Sequence, residues 1–99
     1  MHPETFRFTF DPRVPVEHAD LSFQLAVLAA EGLHGEAGVR LAAVRSVDRR
    51  RHAINVAVSD EVGSGIVRMF TNFLSREFGD DAFSVARAAG GRGRALPCR

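Results

Sequence analysis

The sequence contains no lysine, no tryptophan and no tyrosine, and its one cysteine, Cys98, is the penultimate residue. A single cysteine excludes a disulfide framework and fits a reducing compartment. Without lysine there is no Walker-type phosphate loop. No apolar run approaches the roughly 20 residues that span a bilayer. The opening residues, "MHPETFRFTF", lack the basic-then-apolar order of a secretory signal. The expectation is a cytoplasmic protein without a membrane-spanning segment. Nucleophilic chemistry is also poorly provided for. Cys98 has no framework around it to orient a base, and no serine stands in a Gly-x-Ser-x-Gly elbow.

What remains is an ordinary globular composition. The chain has 99 residues, of which 45% are hydrophobic and 25% charged, enough for one compact domain. All 13 basic residues are arginine, and the formal net charge is +1. That balance hides an asymmetry. Residues 90–99, "GGRGRALPCR", hold Arg92, Arg94 and Arg99 and no acid, and without them acids outnumber arginines. A nucleic-acid-binding body would show the opposite sign. The domain is expected to occupy residues 1–89, with 90–99 a disordered basic tail.

Two hydrophobic periods divide the body. "TFRFTF", Thr5 to Phe10, alternates strictly and sends Phe6, Phe8 and Phe10 to one side, which predicts a strand with one buried face. Pro12 and Pro15 then break it. A first helix follows, roughly Val16 to Leu33, with Glu17 and Asp20 near its positive end and Gly32 or Gly35 as its stop. Its apolar positions Leu21, Phe23, Leu25, Val27, Leu28 and Ala30 form a stripe wider than one sheet face needs. "GVRLAAVRSVD" and "RHAINVAVS" predict two strands joined through Arg49, Arg50 and Arg51. No glycine marks a two-residue turn there, so a longer loop is expected. In the second of these strands Ile54, Val56 and Val58 face inward.

A second helix runs from a cap at Ser59 or Asp60 to Gly79, carrying Val62, Ile66, Met69, Phe70, Phe73, Leu74 and Phe78 at helical spacing. "AFSVARA" ends the body as a last strand with Phe83 and Val85 inward. The order is β-α-β-β-α-β, and "LAAEGLHGEAGVRLAA" in the first half resembles "LSREFGDDAFSVARAA" in the second. These features predict an α+β, two-layer ferredoxin-like sandwich, with a four-stranded antiparallel sheet and both helices on one face. The first and third strands should be central. Arg40, Arg45 and Arg87 would guard the edges against further pairing.

Gly63 and Gly65, in the first turns of the second helix, raise the question of a phosphate cradle. The position three after Gly65 is Arg68 rather than glycine, and Asp60 and Glu61 would repel a phosphate at that terminus. The expected role is structural, letting the helix pass close to the first one. His2, His18, His34 and His52 show no metal-ligand spacing, and His18 and His34 stand roughly 24 Å apart along one helix. No metal or cofactor is expected. Glu17, His18 and Asp20 read as a solvated helix start.

If the phenylalanines face the helices, the opposite surface carries Arg7, Thr9, Ala53, Asn55, Ala57, Ser84 and Ala86, which are short or weakly polar and include no ring. Base stacking on that face is not expected. It suits packing against another protein surface. The leading expectation is a small non-enzymatic module that forms a homodimer or docks on a partner protein. The alternative is weak nucleic-acid association through Arg49, Arg50 and Arg51 with Arg92 and Arg94.

Overall fold

The computed structural model describes residues 4–39 and 41–89, so the expectations for His2, Arg40, Arg92, Arg94 and Cys98 lie outside the described residues. The elements are β1 (Glu4–Phe10), α1 (Val16–Val39), β2 (Ala43–Asp48), β3 (Ala53–Val58), α2 (Glu61–Phe78), a 3₁₀ turn at Asp80–Ala82 and β4 (Phe83–Ala89). The four strands form one antiparallel sheet in the order β2-β3-β1-β4. This is the ferredoxin-like α+β sandwich. β1 and β3 hold the centre, as their alternating sequences require.

The alternation in β1 becomes the core. Phe8 and Phe10 are buried and Phe6 is half-buried, all on the helix side with Ile54, Val56 and Val58 of β3. From the helix layer, Phe70 of α2 meets Phe8 with ring centroids 4.6 Å apart. Phe23 of α1 stands edge-on to Phe70 at 5.3 Å. This three-ring cluster joins sheet, α1 and α2, a geometry favourable to aromatic pairs. On β4, Phe83 and Val85 lie on the helix side, opposite Phe10 and Phe8. Phe83 packs against the core, whereas Val85 remains exposed because β4 is an edge.

Both helices are stopped by a glycine in the same unusual backbone state. Gly35 has φ 81° and ψ 155°, and Gly79 has φ 96° and ψ 152°. This region is open only to glycine. The internal similarity of the two halves therefore has a physical counterpart. The halves differ after the glycine. The chain beyond Gly79 makes a 3₁₀ turn into β4, whereas beyond Gly35 it makes a further helical turn to Val39. This corrects the expected start of β2. Gly38 and Val39 are helical, Ala42 turns back onto the Val39 carbonyl, and pairing begins only at Ala43.

Asp60 is the N-cap of α2, its carboxylate accepting the Gly63 N–H at 3.0 Å. The β2–β3 connection spans Arg49 to His52. Asp48 accepts the Arg51 N–H at 3.2 Å, and His52 takes a left-handed φ of 55°. His52 then ties the loop to the body, because its Nε2 lies 2.6 Å from the Val14 carbonyl, which can only accept.

Candidate functional site

The two glycines of α2 behave differently from each other. A Cβ on Gly63 would stand 2.1 Å from the Ala42 carbonyl oxygen, whereas nothing lies within 4 Å of one on Gly65. The close approach is thus to the backbone just ahead of β2, not to α1 as expected, and only Gly63 makes it. The Gly63 N–H is already taken by Asp60. An open groove of about 560 Å³ at this end is lined by Glu4, Asp60 and Glu61 together with Val58 and Val62. Three carboxylates and an occupied N–H do not make a phosphate cradle.

All seven residues expected on the open face of the sheet lie there, because each shares its register row with a neighbour of the same orientation. Asn55 stands opposite Arg7, Arg7 opposite Ala86, and Thr9 between Ala53 and Ser84. Ala57 is opposite Thr5. The face carries a polar bridge that the sequence did not reveal. Arg7 NH1 donates to Asn55 Oδ1 at 2.9 Å and its NH2 lies 3.6 Å from Asp48 Oδ2 on β2. The guanidinium therefore reaches diagonally across β3, and Ala53, though on the open side, is 0% exposed. Thr9, Ala57, Ser84 and Ala86 are exposed.

The loop arginines are partly engaged. Arg49 Nε donates to Glu17 Oε2 at 3.2 Å, and Arg51 NH1 lies 3.3 Å from Asp48 Oδ2. Arg50 has no ion pair among the described residues. The Glu17–His18–Asp20 group is divided among different partners. Glu17 is lowered from its ordinary pKa first by its own backbone N–H and then by Arg49. Asp20 is held below the usual carboxylate range by Arg45, whose Nε and NH2 fork onto its two oxygens, and Gln24 adds a third donor. Asp48 is likewise lowered, first by the Arg51 backbone N–H and then by the Arg51 side chain. Among the described residues no group of three or more His, Cys, Asp or Glu side chains is placed to hold a metal ion. No helix among them is long and apolar enough to cross a membrane.

Four of the exposed large hydrophobic residues among the described residues, Leu21, Leu25, Leu28 and Leu33, are on α1. Its buried side is mostly small: Ala19, Ser22, Ala26 and Ala30 with Phe23. Its leucines point the other way, with Leu21 at 56%, Leu25 at 57% and Leu28 at 61% exposure. At 100° per residue, these three fall on one line directly opposite Ala19, Ala26 and Ala30. Periodicity could not separate the two sides, since a helix apolar all round has no preferred direction. The alanines win the core because Phe8, Phe23 and Phe70 already fill the space between the layers, so α1 must lie close. A second open groove, of about 490 Å³, separates the end of α1 from α2 and is lined by Ala30, Leu33, His34, Arg68 and Met69 among others.

The fold and these surfaces define a class, the small open-faced α+β sandwich with an apolar outer helix. No family model, curated protein or solved structure matches the chain.

Proposed function

We propose that this chain is a non-enzymatic protein-interaction module that acts by self-association, with docking on a second protein as the other form of the same activity. The observation that carries the reading is the row Leu21, Leu25 and Leu28, each more than half exposed on the solvent side of α1. Covering the exposed half of one such leucine would gain about half of the roughly 1.5–3 kcal/mol of a full burial, and a contiguous exposed apolar row is the usual mark of a contact site. The open sheet face, with Thr9, Ala57, Ser84 and Ala86 around the Arg7–Asn55–Asp48 bridge, is a second candidate surface, flatter and more polar.

Nucleic-acid association has less behind it, because Arg49 and Arg51 already face carboxylates. The test is the solution mass by sedimentation equilibrium from low to high micromolar concentration. A mass that rises toward two chains supports the proposal. A monomer throughout removes self-association.

A further inference from the structure

Resting on that reading, we infer that the occupant of the α1 leucine face is α1 of a second copy, packed antiparallel about a two-fold axis near Leu25. The spacing of Leu21, Leu25 and Leu28 is self-complementary under such an axis. Leu21 meets Leu28 of the other copy, Leu25 meets its own mate, and the row is straight because i, i+4 and i+7 share one helix face.

The flanking charges choose between occupants. Glu17, Gln24 and Glu31 all lie on one side of the leucine row, at about −40°, −60° and −80° from Leu21 at 100° per residue. In an antiparallel two-fold pair, equal flanks face one another, so Glu31 of one copy arrives beside Glu17 of the other. Two carboxylates there would repel. The hairpin loop already supplies the cation. Arg49 holds Glu17 through Nε alone, at 3.2 Å, while its side chain is 67% exposed. Among the described residues its other N–H donors make no hydrogen bond, which leaves them to bind the incoming Glu31. The symmetry makes this Glu17–Arg49–Glu31 bridge twice. Charged flanks that fix the orientation of an apolar helix seam are the same device that coiled coils use. Three leucines and two such bridges form a smaller contact than the roughly 800 Å² per partner of a standard stable interface, so a micromolar dimer is expected.

The experiment uses the whole chain in a Cys98→Ser background, with sedimentation equilibrium and cysteine cross-linking. Leu25→Glu should weaken the dimer about tenfold or more, and its far-UV spectrum and thermal midpoint should stay those of the parent because Leu25 is exposed. Leu21→Cys chains mixed with Leu28→Cys chains should give an oxidised heterodimer that neither forms alone. Arg49→Glu should weaken association and Glu31→Arg in the same chain should restore it. A parent that is monomeric at high micromolar concentration overturns the self-association reading, and this inference with it. A parent that dimerises, but is indifferent to Leu25→Glu and gives no 21–28 cross-link, overturns this inference alone and leaves self-association to another surface.

Discussion

Alanine at Gly63 and alanine at Gly65 should have effects of opposite sign, although the two positions are a half-turn apart on one helix. Both substitutions remove the same backbone entropy from the unfolded chain, and helix interiors favour alanine over glycine by up to about 1 kcal/mol. At Gly65 nothing opposes that gain, because the space within 4 Å is empty. Gly65→Ala is therefore expected to stabilise by about 0.5–1 kcal/mol. At Gly63 the new methyl would meet the Ala42 carbonyl oxygen at 2.1 Å, the Ala42 carbonyl carbon at 2.9 Å and Val58 Cγ1 at 2.9 Å. Two of these atoms belong to the backbone and cannot rotate aside. Either α2 or the turn before β2 must shift, an overpacking cost of about 1–3 kcal/mol. The shift also strains the Ser59 N–H bond to the Ala42 carbonyl, now 3.1 Å, at about 1 kcal/mol. The net for Gly63→Ala is a destabilisation of about 1–3 kcal/mol.

Urea unfolding followed by far-UV circular dichroism is the suitable assay, since the chain has no tryptophan or tyrosine to report by fluorescence. At about 4–8 °C per kcal/mol for a domain of this size, the thermal midpoints of the two variants should differ by about 6 °C or more. The denaturant slope should be unchanged, because neither substitution alters the surface exposed on unfolding. Midpoints that move in the same direction would refute the assignment of Gly63 to a backbone contact.

Three further outcomes are expected. Phe70→Ala removes the ring shared by Phe8 and Phe23, fully buried in the parent, and should cost about 3–5 kcal/mol by urea unfolding; a loss below about 1 kcal/mol would mean the cluster is not the centre of the core. Gly35→Ala and Gly79→Ala each force a side chain to positive φ, 81° and 96°, and should each lose about 1–3 kcal/mol, with a neutral result at either position contradicting its role as a helix stop. Asp20 has a folded pKa below its ordinary value of 3.8, so at acid pH the folded chain binds fewer protons at this carboxyl group than the unfolded chain does. The stability it contributes is complete above about pH 4 and is lost as pH falls through the lowered value. Asp20→Asn should accordingly flatten the acid side of the stability–pH curve while leaving its shape near neutrality, and an unaltered acid limb would argue against the Arg45 fork in solution.

How far the sequence could be read depended on the kind of order each segment carries. Phe6, Phe8 and Phe10 were readable as a buried face because period two has a single interpretation, and the ends of the second helix, at Ser59 or Asp60 and at Gly79, because each depends on local chemistry. From those few residues the element order and the central position of β1 and β3 followed. The first residues of β2 were not readable. "VRLAAV" is apolar without a period, and whether its beginning turns or pairs is decided by Gly35, whose chain continuation is helical as far as Val39. The direction of α1 was hidden for a related reason, since leucine and alanine are both apolar and only the space left by three phenylalanines selects between them. The ion pairs were hidden more thoroughly. Arg45 and Asp20 are 25 residues apart, and the bridge from Arg7 to Asn55 spans 48. The candidate face of the sheet could be named residue by residue from alternation, but the guanidinium lying across it could not.

The edge strands help to decide which surfaces are available for association. An antiparallel sheet with two free edges invites further strands, and that route would compete with any contact through α1. Each edge carries an arginine on its helix side. Arg45 of β2 is drawn over the Phe23 ring, 5.7 Å from its centroid, and bound to Asp20. Arg87 of β4 lies over Phe6 at 5.8 Å and is paired with Glu4. An added strand would bury the flank of each guanidinium and strip water from an ion pair that is now partly solvated, a desolvation cost with no new partner to offset it. Arginine is suited to this position because its planar head can cover a ring and fork onto a carboxylate at once. With both edges guarded in this way, the faces are left as the surfaces open to association. On one of them Arg7 is already committed to Asn55 and Asp48. On the other, Leu21, Leu25 and Leu28 of α1 are each more than half exposed among the described residues, so burial there still has apolar surface to gain.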